Sequence, residues 1–153
     1  MTYTIVLYSH TWLRWVVLAF GATGLAMAWW SVAKGRSPRA EGTLRRAFVA
    51  TLDLQFLLGL ALYVFLSPYT LAAREDLRAA MKNSLLRFFA VEHLVGMVLA
   101  LALVHVAAVR SRRAADPALG RRRWAIGLTI AVLIVLASIP WPFLPYGRPL
   151  FRW

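Results

Sequence analysis

Three histidines, His10, His93 and His105, carry the chemistry open to this 153-residue chain, which has no cysteine. Without thiols there is no disulfide, thiolate-bound metal, iron–sulfur cluster or covalently attached c-type haem. His10 and Arg14 stand four residues apart, on one face of a helix. Arg87, Glu92, His93 and Gly96 cluster further along, with His105 twelve residues beyond His93. Asp53 and Gln55 lie about 200° apart on an ideal helix, so they cannot both address the same neighbour. All of these residues interrupt long apolar blocks. A charged group there costs several kcal/mol by insertion scales unless it is paired, hydrated or bound.

Those blocks set the elements that position the polar residues. The chain is 61% hydrophobic with a mean hydropathy of +0.63, and crossing about 30 Å of hydrocarbon takes roughly 20 helical residues. Four segments qualify, at about residues 5–33, 44–66, 85–109 and 124–139, the last being the shortest. Their short connections predict an all-α fold, a single-domain integral membrane four-helix antiparallel bundle over residues 1–153. Leu71, Leu77, Met81 and Leu85 recur at near-helical spacing between charges, which predicts a short interfacial helix between helices 2 and 3, opened by Pro68. Gly21, Gly24 and Ala28 offer small surfaces for close helix packing. The tail, residues 140–153, holds too many prolines for a helix and is expected to cover the outer end of the bundle.

The net charge of +12 sits in the connections. Lys34, Arg36, Arg39, Arg45 and Arg46 fill the first loop, and Arg110, Arg112, Arg113, Arg121, Arg122 and Arg123 the third. The middle loop balances Arg74, Arg78 and Lys82 against Glu75 and Asp76. This is the positive-inside pattern of a bacterial inner membrane protein with both termini outside, and it disfavours nucleic acid as a partner. Ala26-Met27-Ala28 mimics a signal-peptidase site, but the segment before it starts neutral and contains His10 and Arg14, so it is read as a retained helix.

Helices 1 and 3 run in the same direction, and counting from the outer surface places His10 and His93 within about 5 Å in depth. Two imidazoles on separate helices at matched depth suit the axial ligation of one haem b. Gly96 would make room for the macrocycle, and Arg14 and Arg87 would pair with its propionates, Arg87 lying about 9 Å nearer the surface than His93. Glu92 and Asp53 would tune the site or steady the arginines. His105, about 18 Å below His93 and rotated by about 120°, needs a separate partner. With both axial positions filled, the chemistry is electron transfer rather than independent enzyme activity. The same residues admit other readings. Each histidine could be satisfied by a neighbour, and Arg14 could pair with Asp53 or Glu92 simply to hold helices together. His10, Glu92, His93, Asp53, Gln55 and His105 could form a proton or small-solute route. The chain could also be a non-catalytic accessory subunit of a larger membrane complex.

The motifs His10-x3-Arg14-Trp15, Asp53-x-Gln55-x3-Gly59-x3-Tyr63, Met81-x5-Arg87-Phe88-x3-Glu92-His93-x2-Gly96-Met97, and the tail from Ile139-Pro140-Trp141-Pro142-Phe143 to Arg148-Pro149-Leu150-Phe151 span nearly the whole chain. In these the sequence resembles short bacterial four-helix membrane proteins labelled cytochrome b-like. The resemblance implies a small membrane electron-transfer protein or subunit, with a lipid bilayer around it and a membrane redox complex or quinone as partner. It is similar to b561-type cytochromes only in architecture, since it lacks their second histidine pair, which leaves one haem per chain.

Overall fold

A computed structural model describes residues 1–151, and the described residues contain helices and no strand. Helix α1 (Thr2–Lys34) is followed by α2 (Arg39–Ala61), which runs on through a π-helical turn (Leu62–Leu66). Three short helices, α3 (Pro68–Glu75), α4 (Leu77–Lys82) and α5 (Ser84–Arg87), lead to a second π-turn (Phe88–Glu92) and then α6 (His93–Arg112). Helix α7 (Pro117–Ala137) precedes the proline-rich tail.

Local chemistry sets these boundaries. Gly35 ends α1 in the left-handed conformation, φ 66°, with its N–H on the Val32 carbonyl. Asn83 caps α5 by accepting the Leu85 and Leu86 N–H groups. Asp116 caps α7 by accepting those of Ala118 and Leu119, with Pro117 at the first helical position. These donors hold the exposed Asp116 carboxyl below the usual carboxylate range.

Among the described residues three stretches are long and apolar enough to cross a membrane: Thr2–Lys34, Arg39–Leu66 and Ser84–Arg112. The sequence led us to expect four. Helix α7 falls short because Arg121, Arg122 and Arg123 occupy its early turns. Only residues 124–137 are then free of charge, about 21 Å of helix at 1.5 Å per residue.

The expected single interfacial helix is divided. Asp76 adopts an extended φ of −143° between α3 and α4 and caps α4 through the Ala79 N–H. The short helices fold back on the second π-turn, burying Ala73, Ala80 and Ala90 together.

Helix α1 packs on α2 and α7, and α6 packs on α7 and α2, so α1 and α6 oppose each other across the arrangement. Small residues let the axes approach. Ala100, Ala125 and Ala131 are fully buried, and a Cβ on Gly127 would overlap that of Ala107. Gly21 meets Phe48 and Val132, and Gly24 meets Leu128, the close packing expected of the small residues in α1. The core of Phe48, Val104, Trp124 and Leu128 fills one part of this interior. Toward the tail, the interior opens into a cavity.

Candidate functional site

The cavity, about 330 Å³, is lined by His10 and Arg14 of α1, Gln55 and Gly59 of α2, His93 and Met97 of α6, and Ile139 and Arg148 beyond α7. A smaller space of about 40 Å³ touches the same two imidazoles. The His10 and His93 ring centres lie 6.4 Å apart with their planes at 77°. The opposition inferred from depth counting is therefore present in three dimensions.

His93 is oriented by the broken end of α7. In a continuing helix the Ser138 carbonyl would accept from residue 142, but Pro142 has no N–H to give. That carbonyl instead lies 2.7 Å from His93 Nδ1. A carbonyl can only accept, so Nδ1 carries the proton and Nε2 keeps its lone pair. No hydrogen bond among the described residues engages Nε2. Pro140 likewise gives the Leu136 carbonyl no donor four residues on, and that carbonyl accepts the Trp141 indole N–H at 2.9 Å and the Ile139 N–H at 3.4 Å. Phe88 and Phe89 of the π-turn flank the imidazole, with ring centres 5.7 and 6.1 Å away.

His10 is held from α2. Gln55 Nε2 donates to the His10 carbonyl at 3.0 Å and lies 3.2 Å from His10 Nε2. The ring nitrogen facing that donor accepts, which places the proton of the neutral imidazole on Nδ1. Nδ1 is buried with no hydrogen-bond partner, as is Gln55 Oε1. A buried unsatisfied polar group costs about 1–3 kcal/mol, and among the described residues both atoms carry that cost. Gly59, one turn beyond Gln55, makes room, since a Cβ there would stand 3.0 Å from His10 Cε1.

The tail closes the cavity. Arg14 Nη2 and Trp15 Nε1 both donate to the Leu150 carbonyl, at 2.7 and 3.2 Å, and Phe151 stacks on Trp15. Tyr146 stacks on Phe88 with ring centres 3.9 Å apart. Arg152 and Trp153, also part of the expected cover, lie outside the described residues.

The π-turns build the adjoining wall. A π-turn shifts bonding from i+4 to i+5, as in Ser67 N–H to the Leu62 carbonyl, and leaves other carbonyls to be satisfied by side chains. Tyr63 Oη donates to the Ala90 carbonyl at 3.0 Å. Thr70 and Arg74 donate to the Tyr63 carbonyl, and Arg74 also to that of Val64.

Several expected roles change. Arg87 does not line the cavity. It donates to Glu92 at 2.7 Å, and both side chains are 41% exposed. These residues lie about 140° apart on an ideal α-helix, and the intervening π-turn brings them together. Glu92 is thereby also unavailable to Arg14. Gly96 makes room for Ser138 rather than for a ligand, since a Cβ there would overlap Ser138 Oγ. Asp53 pairs with His105 at 2.8 Å rather than with Arg14, and the pair is roughly half-exposed. Gln55, on the other side of α2, reaches His10, as the 200° separation requires. Arg148, Ser138 and Gly59 are site residues to which the sequence reading gave no role. Pro142 four residues after Ser138, and Gly59 four after Gln55, were the available signals for two of them.

Comparison with family models, with curated proteins and with solved structures gives no match for this chain.

Proposed function

We propose that the chain is a small b-type cytochrome-like electron-transfer protein or subunit of a bacterial inner membrane, holding one haem b between α1 and α6. The observation that carries this reading is the His10–His93 geometry. A metal–imidazole bond of about 2.0–2.1 Å, with the nitrogen about 1.1 Å from the ring centre, puts two trans imidazoles about 6.3 Å apart. The observed separation is 6.4 Å.

On the His93 side the nitrogen is ready to ligate. His93 offers Nε2 while its Nδ1–H is fixed on the Ser138 carbonyl, the backing bond that orients metal-bound histidines. His10 Nδ1 is the unpartnered nitrogen of its ring; ligation through it requires the proton to move to Nε2 and the Gln55 amide to turn so that Oε1 accepts it, in place of the present Gln55 contacts. Haem supplies one-electron exchange when bound. His10 and His93 would hold the haem between α1 and α6, the tail would close the cavity over it, and Phe88, Phe89 and Met97 would exclude water. The motif resemblance favours the same reading. In the membrane, α1, α2 with its π-turn, the α5–α6 stretch and α7 would form a four-helix antiparallel bundle with both termini outside, in accord with the basic loops.

A reduced-minus-oxidised spectrum of purified protein tests the proposal. A b-type α-band is expected, lost in His93→Ala and in His10→Ala. Colourless protein from haem-replete cells would refute it.

One observation favours work as a subunit of a larger complex. Asp53 and His105 pair in the spanning stretch yet are 40% and 51% exposed, which suits contact with protein better than with lipid tails. Co-purification with a membrane redox complex, lost in Asp53→Leu/His105→Leu, is the expected result.

A further inference from the structure

Among the described residues Arg148 has no counter-charge that would explain its place in the cavity wall. Its guanidinium lies 4.2 Å over the Tyr69 ring and 5.5 Å from Phe89, which fixes its plane, and its backbone N–H is tied to the Pro140 carbonyl at 3.0 Å. Nη2 is buried and makes no hydrogen bond among the described residues. No Asp or Glu lines the cavity among the described residues. Glu92 is engaged by Arg87 and Asp53 by His105, so neither supplies the missing acceptor. A planar guanidinium held by aromatic faces presents its N–H edge ready-made for a carboxylate.

We infer that Arg148 is the carboxylate anchor of this cavity, binding an acidic group of the ligand that His10 and His93 hold. The inference rests on the haem reading, in which that group is a propionate, and it moves to the tail a role that the sequence had suggested for Arg87. Arg148 acts by recognition and not by ligating iron. It makes the tail part of the binding site, so that the ligand's acidic edge lies beneath residues 140–148.

Two probes separate the acid contact from axial ligation. Metal-free protoporphyrin IX has the carboxylates without iron, and haem dimethyl ester has iron without the carboxylates. Wild-type full-length protein is expected to bind haem about 10- to 100-fold more tightly than its dimethyl ester. Arg148→Gln should bind both as weakly as wild type binds the ester, while retaining the bis-histidine spectrum at saturation. Metal-free protoporphyrin, read by fluorescence, should bind in an Arg148-dependent and His93-independent manner.

Equal affinity of wild type for haem and its ester, or undiminished haem binding in Arg148→Gln, overturns the anchor but leaves axial ligation standing. Arg148-dependent binding of metal-free protoporphyrin without any b-type spectrum overturns haem ligation but leaves the anchor. If neither porphyrin binds, both fail. Native mass spectrometry after reconstitution with phosphatidylglycerol or phosphatidylcholine covers the other anion source: Arg148-dependent retention of phosphatidylglycerol would assign the guanidinium to a lipid phosphate and overturn the carboxylate proposal.

Discussion

Replacing Gly96 by Ala adds a single methyl group that strikes the residue whose carbonyl orients His93. The new Cβ would overlap Ser138 Oγ and stand 3.0 Å from Ser138 Cβ. Rotating the hydroxyl away removes the first conflict but not the second, because carbon atoms in contact prefer about 3.5–4.0 Å. The end of α7 must therefore retreat by about 0.5–1 Å. That motion carries the Ser138 carbonyl with it, and the 2.7 Å bond to His93 Nδ1 stretches past the roughly 3.2 Å limit of a good N–H···O contact. Overpacking of this kind costs about 1–3 kcal/mol of stability. Losing the backing bond of a metal-bound histidine lowers affinity by about 10- to 100-fold. Thermal unfolding in detergent and haem titration read the two effects separately. The distances also prescribe a graded rescue: Gly96→Ala/Ser138→Ala removes only Oγ and should recover part of both losses, whereas Gly96→Ala/Ser138→Gly removes Cβ as well and should recover most. A Gly96→Ala variant that unfolds and binds haem like wild type would refute the reasoning, as would a Ser138→Gly change that brings no rescue.

Removing Asp53 alone should destabilise the protein more than Asp53→Leu/His105→Leu, because the single change strands a polar imidazole in the spanning stretch while the double change removes both partners; reversible unfolding in mixed micelles measures the difference, and equal losses would count against the pair. Tyr63→Phe leaves the Ala90 carbonyl without its side-chain donor and should cost about 1 kcal/mol in the same assay. Asp116→Ala should lower the unfolding midpoint at neutral pH. The Asp116 carboxyl is depressed in the folded protein, so its contribution is complete above the unfolded value near pH 3.8 and is lost as pH falls through the lower folded value. The midpoint gap between variant and wild type should therefore close under strongly acidic conditions, and a gap that persists unchanged there would show that the carboxylate is not what stabilises the cap.

Depth counting brought His10 and His93 together because His10 sits in an uninterrupted apolar helix and the single π-turn before His93 changes the axial count by only a fraction of a turn. The same arithmetic put Gln55 and Asp53 on different faces, and they do address different partners. It failed for Arg87, because a π-turn lies between that residue and Glu92 and no proline or glycine in Phe88–Glu92 announces it. It failed for Gly96 because a glycine records only that something approaches closely. Whether that neighbour is a ligand or Ser138 depends on where α7 ends. Arg148 was illegible for a related reason: its position follows from the path of a tail whose turns depend on the aromatic faces they meet, Tyr146 on Phe88 and Arg148 on Tyr69. The fourth apolar block, read as 124–139 and as the shortest, was legible as a helix, and its charge-free helical part, 124–137, is too short to count as a span.

His93 and Arg148 reach the cavity from places where helical bonding is interrupted, the π-turn before α6 and the tail after α7. A helical carbonyl already accepts from its own ladder and has only a second lone pair to share, as His10 shares its carbonyl with Gln55, whereas the Ser138 carbonyl, freed where the ladder is broken, is fully available to His93. Restoring the ladder should therefore undo the site without touching it. Pro140→Ala/Pro142→Ala returns N–H groups four residues after Leu136 and Ser138, allows α7 to run on by a turn, and sets the new N–H of residue 142 against His93 for the same carbonyl. Helical content by circular dichroism should rise slightly. Haem affinity should fall by about tenfold or more as the imidazole loses its fixed tautomer, and the Arg148 contact should be lost as the tail is redirected. The fall should exceed that of Arg148→Gln alone, because two supports go together. Helical content that rises while haem binds as before would show that the Ser138 carbonyl does not orient His93, and that the proline break shapes the tail without shaping the site.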